Sequence, residues 1–263
     1  MNIIEAMKER RSVRNFDENG ITGEQRRELL KAVEEAYDPF GGNVTIRLKK
    51  FDLKDGYKPS TYGMINGAEE FFLLGMGDDE ASALSAGFRF EQVVLKAWEM
   101  GLGTCWIAGT FKGSSFEKGE NWPDGEELKV VCPVGEAKQP SMMEKFTRFT
   151  LGSKNRKSFD TLFFSDNFHA PVSEDNQFHE ALEMLRLSPS STNSQPWRAL
   201  VSDNTVHFYY KPKSRISALD TAIGMCQFWE TERFNSKSGK FHKVSDAPKA
   251  PEDWKYLYSY TRE

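Results

Sequence analysis

The strongest constraint on this chain is that it echoes itself. Residues 82–94 read SALSAGFRFEQVV and residues 217–229 read SALDTAIGMCQFW. Laid together without a gap, Ser82, Ala83, Leu84 and Gln92 match Ser217, Ala218, Leu219 and Gln227. The order helix, strand, long helix surrounds both segments, and the helical pattern at 22–37 lies over the one at 173–187. Self-similarity of this kind marks repeated units that bury their apolar faces against one another. Ordinary domains run to roughly 150 residues, so a chain of 263 residues falls between one domain and two. A duplication accounts for that length. It gives a fuller first half, 1–165, and a shorter second half, 166–263, sharing one core of sheet and helix.

Composition removes several classes of function. With 35 basic and 39 acidic residues the net charge is −4, and the basic excess of a nucleic-acid-coating protein is missing. The uncharged stretch Gly101–Phe111 is well short of the ~20 residues a membrane helix needs. The opening MNIIEAMKERRS mixes acids and bases and has no apolar signal core. Three cysteines, Cys105, Cys132 and Cys226, form no CxxC pair; a disulfide framework is not expected, and a reducing cytoplasm fits. The four histidines are scattered, and His179-Glu180 lacks the second histidine of a zinc motif, so no metal site is expected.

Periodicity places the elements. A helix is predicted over 2–10. A second, over 22–37, opens with the capping box Thr22 and Gln25. Val44, Ile46 and Leu48 alternate with polar residues as in a half-buried strand. Phe71–Leu74 reads as a central strand. A long helix from Ala83 to Met100 ends at Gly101, the left-handed cap position. TCWIAG and LKVVCPVG read as strands, with an exposed loop at 112–127. The basic stretch 139–157, holding Lys145, Arg148, Lys154, Arg156 and Lys157, reads as the joint. After it come a helix from Ser173 to the Ser188-Pro189 stop, a hairpin turning at Asp203-Asn204 and a helix over 218–234. In the tail, Trp254, Tyr256, Tyr258 and Tyr260 alternate with a strand's period, which puts four aromatics on one face.

Three segments could carry chemistry. Arg10, Arg11 and Arg14 follow the first helix. A solvated helix end is the plain reading, and a phosphate clamp with Ser12 is the sharper one, because guanidinium presents forked donors to phosphate oxygens. Pro189-Ser190-Ser191-Thr192-Asn193-Ser194-Gln195-Pro196-Trp197 is either a loop with local side-chain-to-backbone bonds or a grip for a polar, planar ligand edge. In GLGTCWIAGTF (101–111), Gly109 permits close backbone approach, whereas Cys105 and Ile107 read as buried strand. Cys105 has no base nearby to make it a nucleophile. No dinucleotide fingerprint, phosphate loop or GxSxG elbow is present.

RRSVRNF, SPSSTNSQPW and the long helix running into GLGTCWIAGTF together resemble the FMN-dependent nitroreductase family. RKSFDTLFF at 156–164 resembles the basic motif near that family's C-terminus. The resemblance implies an α+β fold with a mostly antiparallel central sheet flanked by helices. Family members are homodimers with flavin between subunits; here the Pro-Ser-Ser-x-Asn loop follows the basic motif, so the chain resembles a fused pseudo-dimer with one composite site. Arg10, Arg11, Ser12 and Arg14 would then hold the FMN phosphate and the ribityl or pyrimidine edge, with Arg156, and Lys154 beside it, completing the phosphate site. Ile107, Ala108 and Gly109 would offer backbone groups to the flavin N5 and O4 edge. Pro189, Ser190, Ser191 and Asn193, assisted by Gln195, would close the site from the other half. Alternatively, RKSFD is a degenerate second copy of RRSVR, which places Arg156 at a vestigial site; the following TLFF favours the first reading.

The activity implied is an NAD(P)H oxidoreductase. Flavin N5 takes hydride from NADH or NADPH and passes two electrons to a nitroaromatic, a quinone or a similar flat acceptor, and no side chain is required as a catalytic acid or base. The alternatives are a same-fold flavin enzyme with another redox task, such as dehalogenation or dehydrogenation, and a flavin-binding protein without turnover. Trp106 and Phe111 are expected in the core, and the fused chain is expected to be a monomer.

Overall fold

The computed structural model describes residues 1–52, 57–139 and 155–263. Polar caps start the first helices. Asn2 and Glu5 form a capping box on α1 (Ile3–Glu9), which buries Ile4, Ala6 and Met7. Thr22 and Gln25 cap α2 (Gly23–Glu35) as the sequence predicts. The half-buried β1 (Val44–Lys50) pairs antiparallel with β2 (Glu70–Met76), every residue of which is buried. α3 (Glu80–Glu99) is capped by the Asp79 side chain, and Gly101 takes the expected left-handed conformation at φ +79°. Of the expected TCWIAG strand only Thr104 lies in a strand, β3 (Gly103–Thr104), with an isolated bridge at Ile107. β4 (Glu127–Gly135) closes a sheet of order β1-β2-β4-β3.

The second half uses the same parts. α4 (His179–Leu187) precedes the hairpin β6 (Trp197–Ser202) and β7 (Thr205–Tyr210), then come α5 (Ser217–Phe234), β8 (Gly239–His242) and β9 (Lys255–Arg262). The sheet order is β5-β6-β7-β9-β8, where β5 (Phe163–Ser165) lies parallel to β6. With β5 set aside, the two sheets have one strand order, and in each a long helix joins the second strand to the third.

Three expectations need correction. The helix predicted from Ser173 begins only at His179, because local side-chain bonds favour a turn: Ser173 donates to Asp175 Oδ1 (2.6 Å) and Asn176 Oδ1 accepts from the Phe178 N–H (2.9 Å). The four tail aromatics do not share a face. A bulge opposite Phe208 and Tyr209 reverses the alternation. Tyr258 and Tyr260 therefore pack on Phe40, Phe228 and Phe241, while Tyr256 and Trp254 lie with Tyr209, Phe164 and Phe168. The loop over 112–127 is not simply exposed. Phe116 is fully buried against Phe51, Phe71 and Phe111, and Glu120 pairs with Arg47 and Lys49 of β1. The α+β fold is as expected, its mostly antiparallel strands forming two sheets, β1–β4 in one and β5–β9 in the other. Of the expected joint, residues 140–154, with Lys145, Arg148 and Lys154, lie outside the described residues.

One core joins the halves. Leu74 and Phe88 belong to the same apolar cluster as Phe208 and Phe228. α3 and α5 meet so closely that a Cβ on Gly87 would lie 2.4 Å from the Leu219 carbonyl oxygen; glycine is needed there for the approach. The matched helices also hold matched loops. Ser85 of α3 donates its hydroxyl to Asp38 and accepts the Gly42 N–H, while Asp220 of α5, the residue aligned with Ser85, accepts the Ser191 N–H.

Candidate functional site

Past α1 the chain runs extended. Ser12 bridges Thr104 in parallel, and Val13 N–H donates to Thr104 O (2.8 Å). Arg14 O accepts from Asn66 N, and Phe16 N donates to Asn66 O, both at 2.9 Å. Val13 and Phe16 face inward, Val13 lying over Gly103, where a Cβ would be 2.6 Å from its Cγ2. The polar residues around them are more open. Arg10, Ser12 and Arg14 are half-buried and Arg11 is exposed. Arg10 Nη1 and Arg14 Nε are buried and have no hydrogen-bond partner among the described residues. A buried polar group without a partner costs roughly 1–3 kcal/mol, and more when charged, so these atoms point to an anion.

The serine-rich loop is strained and tightly held. Thr192, Asn193 and Gln195 have φ of +50°, +54° and +48°, positions that cost non-glycine residues of order 1 kcal/mol or more each. Asp220 holds the loop from α5, with both carboxylate oxygens 3.1 Å from the Ser191 N. Burial lifts the Asp220 carboxyl to about 7, against the lowering effect of the Ser191 N–H and the nearby Ser194 hydroxyl. Ser190 Oγ accepts the Gln195 N–H (3.0 Å). The basic segment supplies the rest. Asn193 Nδ2 donates to Asn155 O (2.7 Å), Lys157 N to Gln195 Oε1 (2.8 Å), and Lys157 Nζ to the carbonyls of Ser194 (2.7 Å) and Gln195 (3.0 Å).

Arg156 donates to Asn193 Oδ1 (3.1 Å) and to Leu187 O (2.9 Å). Its pKa is lowered by burial, and further by the charges of Arg10 and Arg186. The N-terminal motif, the basic segment and the closing loop therefore meet: Arg10 acts on Arg156 through space, and Arg156 bonds the loop. Arg186 is neutralised by Glu183. Burial, with Arg198, Lys213 and Lys211, brings Lys157 down to about 8. Pro189 and Ser190 are half-buried, and Ser191 is exposed.

The 107–109 segment corrects one assignment. Ile107 exchanges both backbone bonds with Val131, at 3.0 and 2.9 Å, so it has no free backbone N–H to give a ligand. The N–H groups of Ala108 and Gly109 make no backbone hydrogen bond among the described residues. Gly109 is exposed, and a Cβ there would meet no atom within 4 Å. Trp106 packs edge-on to Phe90 (4.8 Å) and donates Nε1–H to Glu91 Oε2 (3.0 Å). Phe111 packs on Phe116 as expected. Cys105 is buried, and no metal-binding group of His, Cys, Asp or Glu occurs among the described residues.

Sequence reasoning missed Asp220, Lys157 and Glu91. Asp220 had a signal, since it replaces Ser85 in the aligned repeat. Glu91 had another, as the lone acid in the apolar run FRFEQVV. A groove of about 420 Å³ between α2, α3 and α5, lined by Glu28, Lys31, Gln92, Lys96 and Glu230, touches none of the predicted site residues.

Two sheets around paired long helices, with guanidinium groups gathered beside a strained polar loop, define a protein of the nitroreductase fold class. Residues 2–231 match the family described as "Putative TM nitroreductase", and the chain belongs to that family. A crystal structure described as "a putative nitroreductase" from Thermotoga maritima is similar over 100% of this chain and 93% of its own, with a TM-score of 0.63 at 16% identity. A nitroreductase family protein from Clostridium difficile aligns with 57% of this chain and 92% of its own, with a TM-score of 0.44 at 19% identity. A protein from Desulfovibrio desulfuricans, described as in complex with FMN, aligns with 53% of this chain and 88% of its own, with a TM-score of 0.43 at 18% identity. No curated protein matches the sequence. Among the described residues no helix is long and apolar enough to cross a membrane.

Proposed function

We propose that this protein is an FMN-dependent oxidoreductase that uses NADH or NADPH to reduce nitroaromatics, quinones or similar flat acceptors. The observation that carries the reading is the set of buried guanidinium nitrogens on Arg10 and Arg14 without a partner among the described residues, together with the repulsion between Arg10 and Arg156. A phosphate ester relieves both at once, because it brings charge and several acceptor oxygens to forked donors. The residues present therefore fit the phosphate of FMN. Bound there, FMN would supply two-electron redox chemistry that no side chain can.

The chain's own residues have separable tasks. Arg10, Arg14 and Arg156 would hold the phosphate. Ala108 and Gly109 would present backbone donors to the ring edge. Asn193 and Gln195, fixed by Asn155, Arg156 and Lys157, would close the site from the second half. The division at 1–165 and 166–263 is part of the proposal. It is supported by the shared strand order and by β5, which follows the basic segment and pairs with β6 of the second half. In the first half, Ser12 pairs instead beside β3. That difference supports reading 156–165 as the tail of the first half instead of a copy of RRSVR, and under that reading Arg156 belongs to the composite site. A monomeric, cytoplasmic protein is the accompanying expectation.

The test is direct. The purified protein should be yellow, or should quench added FMN fluorescence. Anaerobic mixing with NADH and with NADPH should bleach the flavin band. A colourless protein that ignores FMN would falsify the cofactor assignment, and a flavin band that neither nucleotide bleaches would remove the NAD(P)H assignment. Arg14→Ala and Asn193→Ala, from opposite halves, should each weaken FMN about tenfold or more, the worth of a hydrogen bond to a charged group. Unchanged affinity in either variant would end that residue's assignment.

A further inference from the structure

Glu91 lies on α3 with no exposed surface, and both of its oxygens are engaged. Oε2 accepts from Trp106 Nε1 (3.0 Å) and Oε1 accepts from Gln227 Nε2 (2.7 Å). Trp106 belongs to the first half and Gln227 to α5 of the second, so one carboxylate ties the halves together where α3 and α5 meet. Burial disfavours its charge and Arg10 favours it. A buried carboxylate is costly unless it is fully bonded, and this one is bonded to two neutral donors from different halves, close to the phosphate arginine.

Its connection to the site runs through the chain itself. Trp106 immediately precedes Ile107, which is pinned to Val131 on both sides of its backbone. An indole held by Glu91 and a residue pinned to β4 fix the direction in which the Ala108 and Gly109 N–H groups point. We propose that Glu91 is a positioning residue for the flavin site: it orients the 107–109 segment through Trp106 and locks it to the second half through Gln227. The inference rests on the flavin reading above.

The substitutions separate geometry from charge. Gln227 Oε1 is buried and has no hydrogen-bond partner among the described residues, so with the Gln227 amide turned over an amide at 91 can donate to it while Trp106 donates to the new carbonyl. Glu91→Gln thus keeps both links and removes only the charge. Glu91→Ala removes both, and Trp106→Phe removes one donor while keeping the ring against Phe90. FMN affinity, read by fluorescence quenching, should fall about tenfold or more in Glu91→Ala and Trp106→Phe and stay within about threefold of wild type in Glu91→Gln. The double variant Glu91→Ala/Trp106→Phe should be no weaker than Glu91→Ala, because the two residues act through one link. The thermal midpoint of each flavin-free protein is measured alongside. A lowered midpoint with unchanged affinity makes Glu91 merely structural and overturns the proposal. If Glu91→Ala does not fold, the contrast between Trp106→Phe and Glu91→Gln decides. A wild type that does not bind FMN removes the flavin reading and this inference together; a wild type that binds, with variants that bind equally well, removes this inference alone.

Discussion

At the scale of single residues, what decides the chemistry is which charges are buried and what faces them. Asp220 holds the closing loop, and its carboxyl sits near 7 because burial penalises its charge. The sign of its effect on stability follows. Between about pH 4 and pH 7 the unfolded chain releases this proton while the folded chain keeps it, so this group makes stability fall as pH rises through that window. At about 1.4 kcal/mol per unit of displacement, the change is of order a few kcal/mol. Asp220→Asn removes it while leaving an acceptor for the Ser191 N–H. The stability difference, variant minus wild type, should therefore grow from pH 4 to pH 7 in urea titrations; a difference that is flat with pH would contradict the assignment. Arg10 and Arg14 could be singled out in the sequence, because RRSVR spaces guanidinium groups that suit an anion, although a solvated helix end is the plainer reading of that motif. Asp220 could not be, since an aspartate in a helix looks solvated until packing seals it. Ile107 misled for a related reason: a strand residue offers its N–H to a ligand only when no neighbouring strand takes it, and Val131 does.

At the scale of elements, local chemistry was readable where it acts within one turn and failed where a distant partner decides. Thr22 with Gln25 and Gly101 mark ends that depend on neighbouring atoms alone. The tail's alternation was real in sequence, but the bulge against β7 reversed it. The 112–127 stretch shows the same limit in a form that can be tested. Its glycines and charges suggest solvent, yet Phe116 is sealed among Phe51, Phe71 and Phe111, and its carbonyl accepts from Lys49 Nζ (3.1 Å). That buried ring anchors the connection over β1 and β2 together with Glu120, which pairs with Arg47 and Lys49. Phe116→Ala should cost about 3–5 kcal/mol, the range for emptying a buried aromatic site, whereas Lys118→Ala, two residues on, should cost under about 0.5 kcal/mol. Equal, small losses in chemical denaturation would show that the loop is as loosely held as its composition suggests.

At the scale of the molecule, the echo between 82–94 and 217–229 is the feature from which most of the architecture follows. Each copy is the long helix of a half, and the two helices face one another across Gly87. Under the proposed two-half reading there would be two places for a composite site, and the loops at those two places differ. On one side the Ser190–Gln195 loop carries hydrogen-bonding groups and meets Arg156. On the other, the counterpart loop at 38–43 turns Phe40 inward, 8% exposed, onto Phe88 (5.5 Å), Phe241 (5.7 Å) and Tyr258 (4.8 Å). Aromatic side chains fill that position, whereas Arg156 bonds Asn193 of the other loop. Under the flavin reading, FMN titration against a known protein concentration should saturate near one equivalent per chain. Phe40→Ala should lower stability by about 3–5 kcal/mol without adding a second equivalent, because removing the plug does not supply the missing cations. Saturation near two in the wild type would mean that the second position is a working site, and the division of labour between the halves would have to be abandoned.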